Sequence, residues 1–297
     1  MKLIKPKPLE KGATIGFLTV SGPVKEYERV EKAKKYFENK GYKVILSDTT
    51  FTQKGFLSAD DDVRLAQLHE FFADENIEAI FCTRGGYGAI RLLKSLDYDL
   101  IKSNPKIFAG FSDITALLTA IYVNTGIMTY HAPMPYPDFG GEDVSPVTEK
   151  LFFEALSGCR VHSNFDGTVY NEGVSEGVLW GGNLATLASM VGTNFVPKEK
   201  FVLFLEDVNE PAYKIDRYLT QLMFDKNFAE NLSGVALGEF TGLDSEDEFN
   251  QVFENFGKKL YIPVMSGLKI GHVKDKITLP IGVKAVFDTE AKILREV

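Results

Sequence analysis

A chain of 297 residues with 44% hydrophobic and 25% charged residues has a globular composition, long enough for one large domain or two medium ones with real cores. A formal net charge of -8 repels phosphate backbones and sets nucleic acid aside as a partner. Two cysteines, Cys82 and Cys159, cannot supply a disulfide framework, and no apolar run approaches the roughly 20 residues that cross a bilayer. The first ten residues carry lysines but no apolar run, so no secretory signal is expected, and a cytoplasmic protein with reduced thiols is.

Strand and helix patterns alternate through the first half. Ala13 to Val20 is a short apolar run closed by Ser21-Gly22-Pro23, which reads as a buried strand and a turn. Lys25 to Lys40 has apolar positions at helical spacing and stops at Gly41. A strand over Lys43 to Leu46 follows, then a helix over Ala59 to Phe72 with Ser58 as its cap. A strand over Ala79 to Cys82 runs into Thr83-Arg84-Gly85-Gly86-Tyr87-Gly88, and a short helix starts at Ala89. Lys106 to Gly110 is a strand and Asp113 to Asn124 a helix. Such alternation predicts a parallel sheet covered by helices, with ligands at the carboxyl ends of the strands. The turns at Arg84 to Gly88 and at Gly110 to Asp113 both fall at such ends.

Residues 131 to 173 are rich in Pro, Gly and Asp, with helical pattern only over Val147 to Leu156. They read as a long functional loop followed by a linker. The second half opens with a strand over Gly177 to Trp180, then Gly181-Gly182-Asn183 and a helix through Val191. A strand over Phe201 to Leu205, a helix over Tyr213 to Met223, a strand over Gly234 to Gly238 and a helix over Glu246 to Phe256 come next. The end, Lys276 to Asp288, alternates as β structure. The expected organisation is an α/β protein of two domains: a parallel-sheet domain over 1–158, a linker over 159–175 and a mixed α/β domain over 176–297.

Ser112 is the candidate nucleophile. It stands between a strand and a helix in Gly110-Phe111-Ser112-Asp113, where a sharp turn exposes a hydroxyl and the first helical amides can bind an oxyanion. The second glycine of GxSxG is replaced, and the alternative role is a helix cap. A serine needs a base, and the chain has four histidines: His69, His131, His162 and His272. His69 lies mid-helix and His162 in the expected linker. His131 can line the same cleft as Ser112. His272 follows Gly271 in a loop and can turn toward a cleft. Glu206 ends an apolar strand and can orient such a base; its other possible roles are capping or a salt bridge with Lys214 or Arg217. The cluster Arg84 to Gly88 is neither a Walker loop nor GxGxxG, and offers either backbone donors for an anion or a tight turn. There is no HExxH and no Cys/His cluster, so neither a metal nor a cofactor is expected.

Taken together, these segments resemble the LD-carboxypeptidase family, which includes the microcin C self-immunity peptidases. The resemblance rests on Arg84-Gly85-Gly86-Tyr87-Gly88 with Arg91 and Leu92, on Pro105-Lys106 through Ile114-Thr115, and on Trp180-Gly181-Gly182-Asn183-Leu184. Leu205-Glu206-Asp207 with Tyr213 and Asp216-Arg217, then Gly271-His272, complete it, together with Gly12 to Pro23 and Leu279 to Gly282. It spans nearly the whole chain in order. It implies Ser112 as nucleophile, His272 as general base and acid, Glu206 as the residue orienting His272, and the backbone N–H groups of Gly86 and Asp113 as the oxyanion hole. It also implies an active site in a cleft between the two domains, a homodimer, and a small peptide substrate such as a murein tetrapeptide losing its terminal D-Ala. Arg84, Gly85 and Asn183 are the candidate substrate-binding residues. The alternative within the same chemistry is an immunity peptidase acting on an aminoacyl-nucleotide antibiotic, for which Tyr136 and Phe139 are the available aromatics, with packing as their other role. A non-catalytic peptide-binding protein is the alternative outside it.

Overall fold

The computed structural model describes residues 2–297. The chain divides into two compact units, one of residues 1–159 with 277–279 and one of residues 160–276 with 280–297.

The first unit begins β1 (Thr14–Leu18), α1 (Tyr27–Asn39), β2 (Lys43–Leu46), α2 (Asp61–Ala73), β3 (Ala79–Cys82), α3 (Tyr98–Ser103), β4 (Ile107–Gly110), α4 (Thr115–Thr125), β5 (Thr129–His131) and α5 (Pro146–Leu156). The pairings of β2 with β1, β1 with β3, β3 with β4 and β4 with β5 are all parallel. The sequence explains the order. TIGFL, AIFC and IFAG are buried on both faces, as central parallel strands must be, whereas KVIL alternates and takes an edge. α1 buries Val30, Ala33 and Phe37, a stripe at helical spacing, and Gly41 ends it with φ +88°. α4 is buried almost all round and lacks any charged residue. Strand order reverses between β1 and β3, the point at which open α/β sheets place their ligands.

The second unit contains β6 (His162–Asn164), β7 (Val169–Asn171), β8 (Val174–Asn183), α6 (Leu184–Ser189), β9 (Phe201–Val208), α7 (Ala212–Leu222), α8 (Lys226–Asn231), β10 (Leu232–Thr241), α9 (Glu246–Leu260) and β11 (Val264–Met265). After β12 (Leu279–Ile281), whose first residue belongs to the first unit and which forms the edge beside β5, come β13 (Lys284–Asp288) and β14 (Ile293–Glu296). The sheet is mixed: β8, β9, β10 and β11 run parallel, and β13, β14, β6 and β7 join antiparallel. Trp180, Phe195, Phe201 and Phe228 form its aromatic core against the β8–β9 pair. Ser245 caps α9 by accepting from the Glu248 amide at 3.2 Å.

Several expectations are corrected. Ser58 does not cap α2; it is buried and donates to the Thr19 carbonyl at 3.0 Å, and the helix starts at Asp61. The helix expected from Asp113 is a 3-10 turn over Ser112–Ile114 followed by α4. β8 runs from Val174 through Asn183, past the expected Trp180, and α6, which follows it from Leu184, ends at Ser189 rather than Val191. The stretch 131–173 is not a plain loop. It contains the end of β5, a π-helical turn over Pro135–Phe139, α5, β6 and β7. Residues 159–175, expected as a linker, instead belong to the second unit almost entirely. β6 pairs with β14 and β7 with β11, partners about a hundred residues or more away in sequence, which no local pattern reveals. Among the described residues no helix is long and apolar enough to cross a membrane.

Candidate active site

In the first unit the chemistry gathers at the carboxyl ends of β1, β3 and β4. Ser112 follows β4 with φ +63°, a left-handed conformation unusual for a residue with a side chain. The turn leaves Ser112 half-buried and places Asp113 at the start of the 3-10 turn that feeds α4. The turn after β3 packs directly against it. A Cβ on Gly85 would lie 2.9 Å from the Ser112 Cβ, 3.0 Å from its Oγ and 3.5 Å from the Asp113 amide nitrogen, so only glycine fits there. Gly86 is exposed at the tip of this turn. The turn after β1 is tied on as well, for the Gly22 amide donates to the Gly85 carbonyl at 3.2 Å.

Arg84 is half-buried on the same turn. Its Nη1 donates to the Pro23 carbonyl at 2.7 Å and its Nε to the Gly85 carbonyl at 3.1 Å, and its guanidinium lies 5.4 Å from the Tyr136 ring centroid. A Cβ on Gly86 would come within 3.7 Å of its Nη2. A cation is thus fixed beside the glycine turn rather than waving in solvent. Tyr136 also meets the Arg29 guanidinium, at 4.9 Å, whereas Phe139 is buried among Tyr36, Phe37 and Phe152 and serves packing.

In the second unit Glu206 lies near the carboxyl end of β9 and is fully buried. Its Oε2 is 2.9 Å from His272 Nδ1. Gly271 makes that approach possible. Its φ is +99°, and a Cβ there would stand 2.8 Å from Glu206 Oε2 and 2.9 Å from Glu206 Cβ. The loop carrying His272 is pinned across the end of β10, where the Leu268 amide donates to Leu237 and the Glu239 amide to Ile270. Neither alternative pairing of Glu206 forms. Lys214 pairs with Glu210 at 3.2 Å, and Arg217 lies 5.4 Å from the Tyr213 ring centroid.

Asn183 neighbours Glu206 in the β8–β9 register, but its side chain is engaged locally. Its Oδ1 accepts from the Thr186 amide at 3.0 Å and its Nδ2 donates to Asp207 Oδ1 at 2.8 Å. Asp207 Oδ2 accepts from the Ala185 amide at 2.8 Å. Burial pushes the Asp207 carboxyl up to about 6, and the neighbouring Glu206 charge adds to the shift. The buried carboxyl of Asp113 is likewise raised by burial, against the hydrogen bonds it accepts.

The remaining histidines are occupied elsewhere. His69 accepts from the Asp97 amide at 3.0 Å and thereby holds the start of α3, and burial lowers its pKa. His131 is buried at the end of β5 with its ring against Phe111. His162 is exposed on β6. The Cys82 thiol is buried, and burial raises its pKa, so it is no nucleophile. Sequence reasoning did not find Ser21, Arg64 or Asp207 as supports of these turns. The one signal was an acid directly after the candidate nucleophile, in a turn where Ile114 stands in place of the second glycine of a nucleophile elbow.

The first unit thus carries a serine on a left-handed strand-to-helix turn with a glycine turn beside it, and the second a buried carboxylate on a histidine ring. Comparison with known proteins gives the family. Residues 15–132 match the LD-carboxypeptidase N-terminal domain and residues 176–287 the LD-carboxypeptidase C-terminal domain, and the chain belongs to the LD-carboxypeptidase family of peptidases. A probable murein peptide carboxypeptidase of Bacillus subtilis (strain 168) is 37% identical, over 97% of this chain and 92% of that one. Among solved structures, an MccF-like protein from Bacillus anthracis superposes with a TM-score of 0.90 at 30% identity, covering 99% of each chain. A muramoyltetrapeptide carboxypeptidase from Oxalobacter formigenes superposes with a TM-score of 0.86 at 30% identity, over 95% of this chain and 97% of that one.

Proposed function

We propose that the protein is a serine LD-carboxypeptidase that releases terminal D-Ala from murein tetrapeptides. The observation that carries the reading is the Glu206–His272 contact at 2.9 Å, made by a carboxylate with no exposure to solvent. A buried carboxylate on Nδ1 fixes the tautomer and orientation of the ring and stabilises the imidazolium, leaving Nε2 as the atom that exchanges protons. The reading requires Ser112 Oγ to meet that atom.

His272 Nε2 takes the Ser112 proton as Oγ attacks the carbonyl carbon of the L,D bond. The N–H groups of Asp113 and Gly86 hold the tetrahedral oxyanion, each contributing roughly 3 kcal/mol. The C–N bond breaks as Nε2 returns the proton to the leaving amine, which departs as D-Ala. Water then gives a proton to Nε2 as its oxygen attacks the acyl carbon, and the ester C–Oγ bond breaks as Nε2 returns that proton to Oγ, which frees Ser112 and the shortened peptide as its carboxylic acid. Arg84, anchored through Nε and Nη1, turns its cationic edge toward Gly86 and binds the terminal carboxylate of the substrate. Gly85 keeps the approach to Oγ open. Asn183 acts indirectly, by joining β8 and α6 to Asp207 beside Glu206. The resemblance further implies a cytoplasmic location and a homodimer, and sedimentation of the purified chain tests the dimer as a mass near twice 33.1 kDa.

The purified protein is incubated with a murein tetrapeptide ending in D-Ala, beside Ser112→Ala, and D-Ala release is followed by mass spectrometry. Release by the wild type alone supports the reading. Cleavage of an aminoacyl-sulfamoyl-adenosine in its place moves the protein to the immunity branch, which the structural likeness to the MccF-like protein makes the second reading. Hydrolysis of neither leaves a peptide-binding protein.

A further inference from the structure

Two buried charged side chains flank the glycine turn beside Ser112, and the mechanism above uses neither. Arg64 of α2 is fully buried. Its Nη1 donates to the carbonyls of Val20 and Gly88, the latter at 3.1 Å, its Nε donates to the Ala59 carbonyl, and its Nη2 pairs with Asp61 at 2.6 Å. The Asp113 carboxylate, almost as buried, accepts from the Ser21 hydroxyl and from the Ala89 amide at 2.9 Å through Oδ2, and also from the Gly88 amide. The Gly88–Ala89 peptide is therefore held at its carbonyl by Arg64 and at its amide by Asp113. The same two side chains hold Val20 and Ser21 at the end of β1.

From these contacts we infer that Asp113 and Arg64 are positioning residues, which clamp the turns after β1 and β3 to the nucleophile turn and so fix the Gly86 N–H against the oxyanion formed at Ser112. The inference rests on the serine-hydrolase reading of Ser112. It follows from the chain path. Asp113 is bonded to Ser112, so every contact its side chain makes fixes a neighbouring turn relative to Oγ. Gly86 has no side chain to anchor it and lies only two residues before Gly88. Beyond the clamp, the exposed tip of the turn is held by the Gly22–Gly85 bond, by Arg84 and by exposed contacts of Tyr87 with Phe56 and Arg91. The acid that directly follows the nucleophile thereby acquires a role. A rigid donor set needs no rearrangement as charge develops, and a misplacement of about 1 Å can cost 100-fold in rate.

The test compares Ser21→Ala, Asp113→Asn and Asp113→Ala with wild type and Ser112→Ala, on whichever of the two substrates above the wild type hydrolyses. The melting temperature of each variant is recorded. Loss of transition-state positioning lowers kcat and leaves KM in place. Asp113→Ala is expected to lose about 100-fold in kcat at unchanged KM. Asp113→Asn keeps one acceptor oxygen for Ser21 and Ala89, and falls between it and wild type. Ser21→Ala removes one donor from a carboxylate that stays in place, and loses several-fold. If Asp113→Ala does not fold, Ser21→Ala and Asp113→Asn decide. Variants that melt earlier yet turn over at the wild-type kcat overturn the inference alone, because Ser112→Ala is then still inactive. Equal losses in Asp113→Asn and Asp113→Ala overturn it too. An active Ser112→Ala, or a wild type inactive on both substrates, removes the underlying reading and this inference with it.

Discussion

Gly271 offers the sharpest probe of the Glu206–His272 pair, because it touches the pair through space and takes no part in the chemistry. Substitution by alanine meets two obstacles. The backbone stands at φ +99°, and the new Cβ would lie 2.8 Å from Glu206 Oε2 and 2.9 Å from Glu206 Cβ. Holding a residue with a side chain in such a region costs about 1–3 kcal/mol. Glu206 is fully buried and cannot swing into solvent, so the contact is relieved by moving the His272 loop. For a chain of this size the cost corresponds to a melting temperature lower by roughly 2–12 °C. The same shift stretches the 2.9 Å contact that orients the ring, and a displacement of about 1 Å lowers kcat by roughly 100-fold. The assay is a double-mutant cycle: kcat for wild type, Gly271→Ala, Glu206→Ala and the combination, with melting curves alongside. Once Glu206 is truncated, its Cβ still stands 2.9 Å from the new methyl, but the carboxylate is gone and a displaced loop has no Glu206–His272 contact left to disturb. Gly271→Ala should then cost little further kcat in the Glu206→Ala background. A wild-type kcat in Gly271→Ala, or full additivity in the cycle, refutes the reasoning.

Glu206→Gln keeps the size of the side chain but removes the charge that stabilises an imidazolium; kcat is expected to fall about 10³–10⁴-fold with the fold intact, checked by steady-state kinetics and circular dichroism. Arg84→Ala removes the cation beside Gly86 and should raise KM for the free-carboxylate peptide about 10- to 100-fold, while a substrate with an amidated terminus shows no such difference. Asp207 gives a pH signature. The folded protein holds its proton near 6 against an ordinary carboxylate value of 3.8, so its contribution to stability is complete below about pH 4 and lost as pH rises through about 6. That change amounts to about 2 kcal/mol between pH 4 and pH 7, and denaturant melts of wild type against Asp207→Asn should show it in the wild type alone.

How much of this was legible in the sequence depends on how far away each residue's partners lie. TIGFL, AIFC and IFAG announce themselves as buried strands because every residue faces the core, and their parallel pairing follows from the helices between them. α7 and α9 are equally plain, with stripes such as Ala212, Ile215, Leu219 and Leu222. β6 and β7 could not be read. HSN and VYN carry no alternation of their own, and they become strands only because β14 and β11 arrive from far along the chain. Their Gly- and Asp-rich surroundings pointed to a linker for the same reason.

The site divides along the same line. Ser112, Glu206 and His272 could be singled out because each stands at a predictable strand end or beside a glycine. What the sequence left open was which acid meets which base. Glu206 and His272 are 66 residues apart, and Lys214 and Arg217, much nearer in sequence, were equally good partners on paper. The structure decides between them by burial. A carboxylate taken wholly out of water must be compensated by a close partner, and the glycine at 271 is the one residue that lets His272 come close enough to be that partner. Gly271 and Glu206 are therefore one device separated by sequence. Asp113 and Ser21 form another, 92 residues apart. In both, a buried acid reaches across the fold to hold a turn that has too few side chains to hold itself.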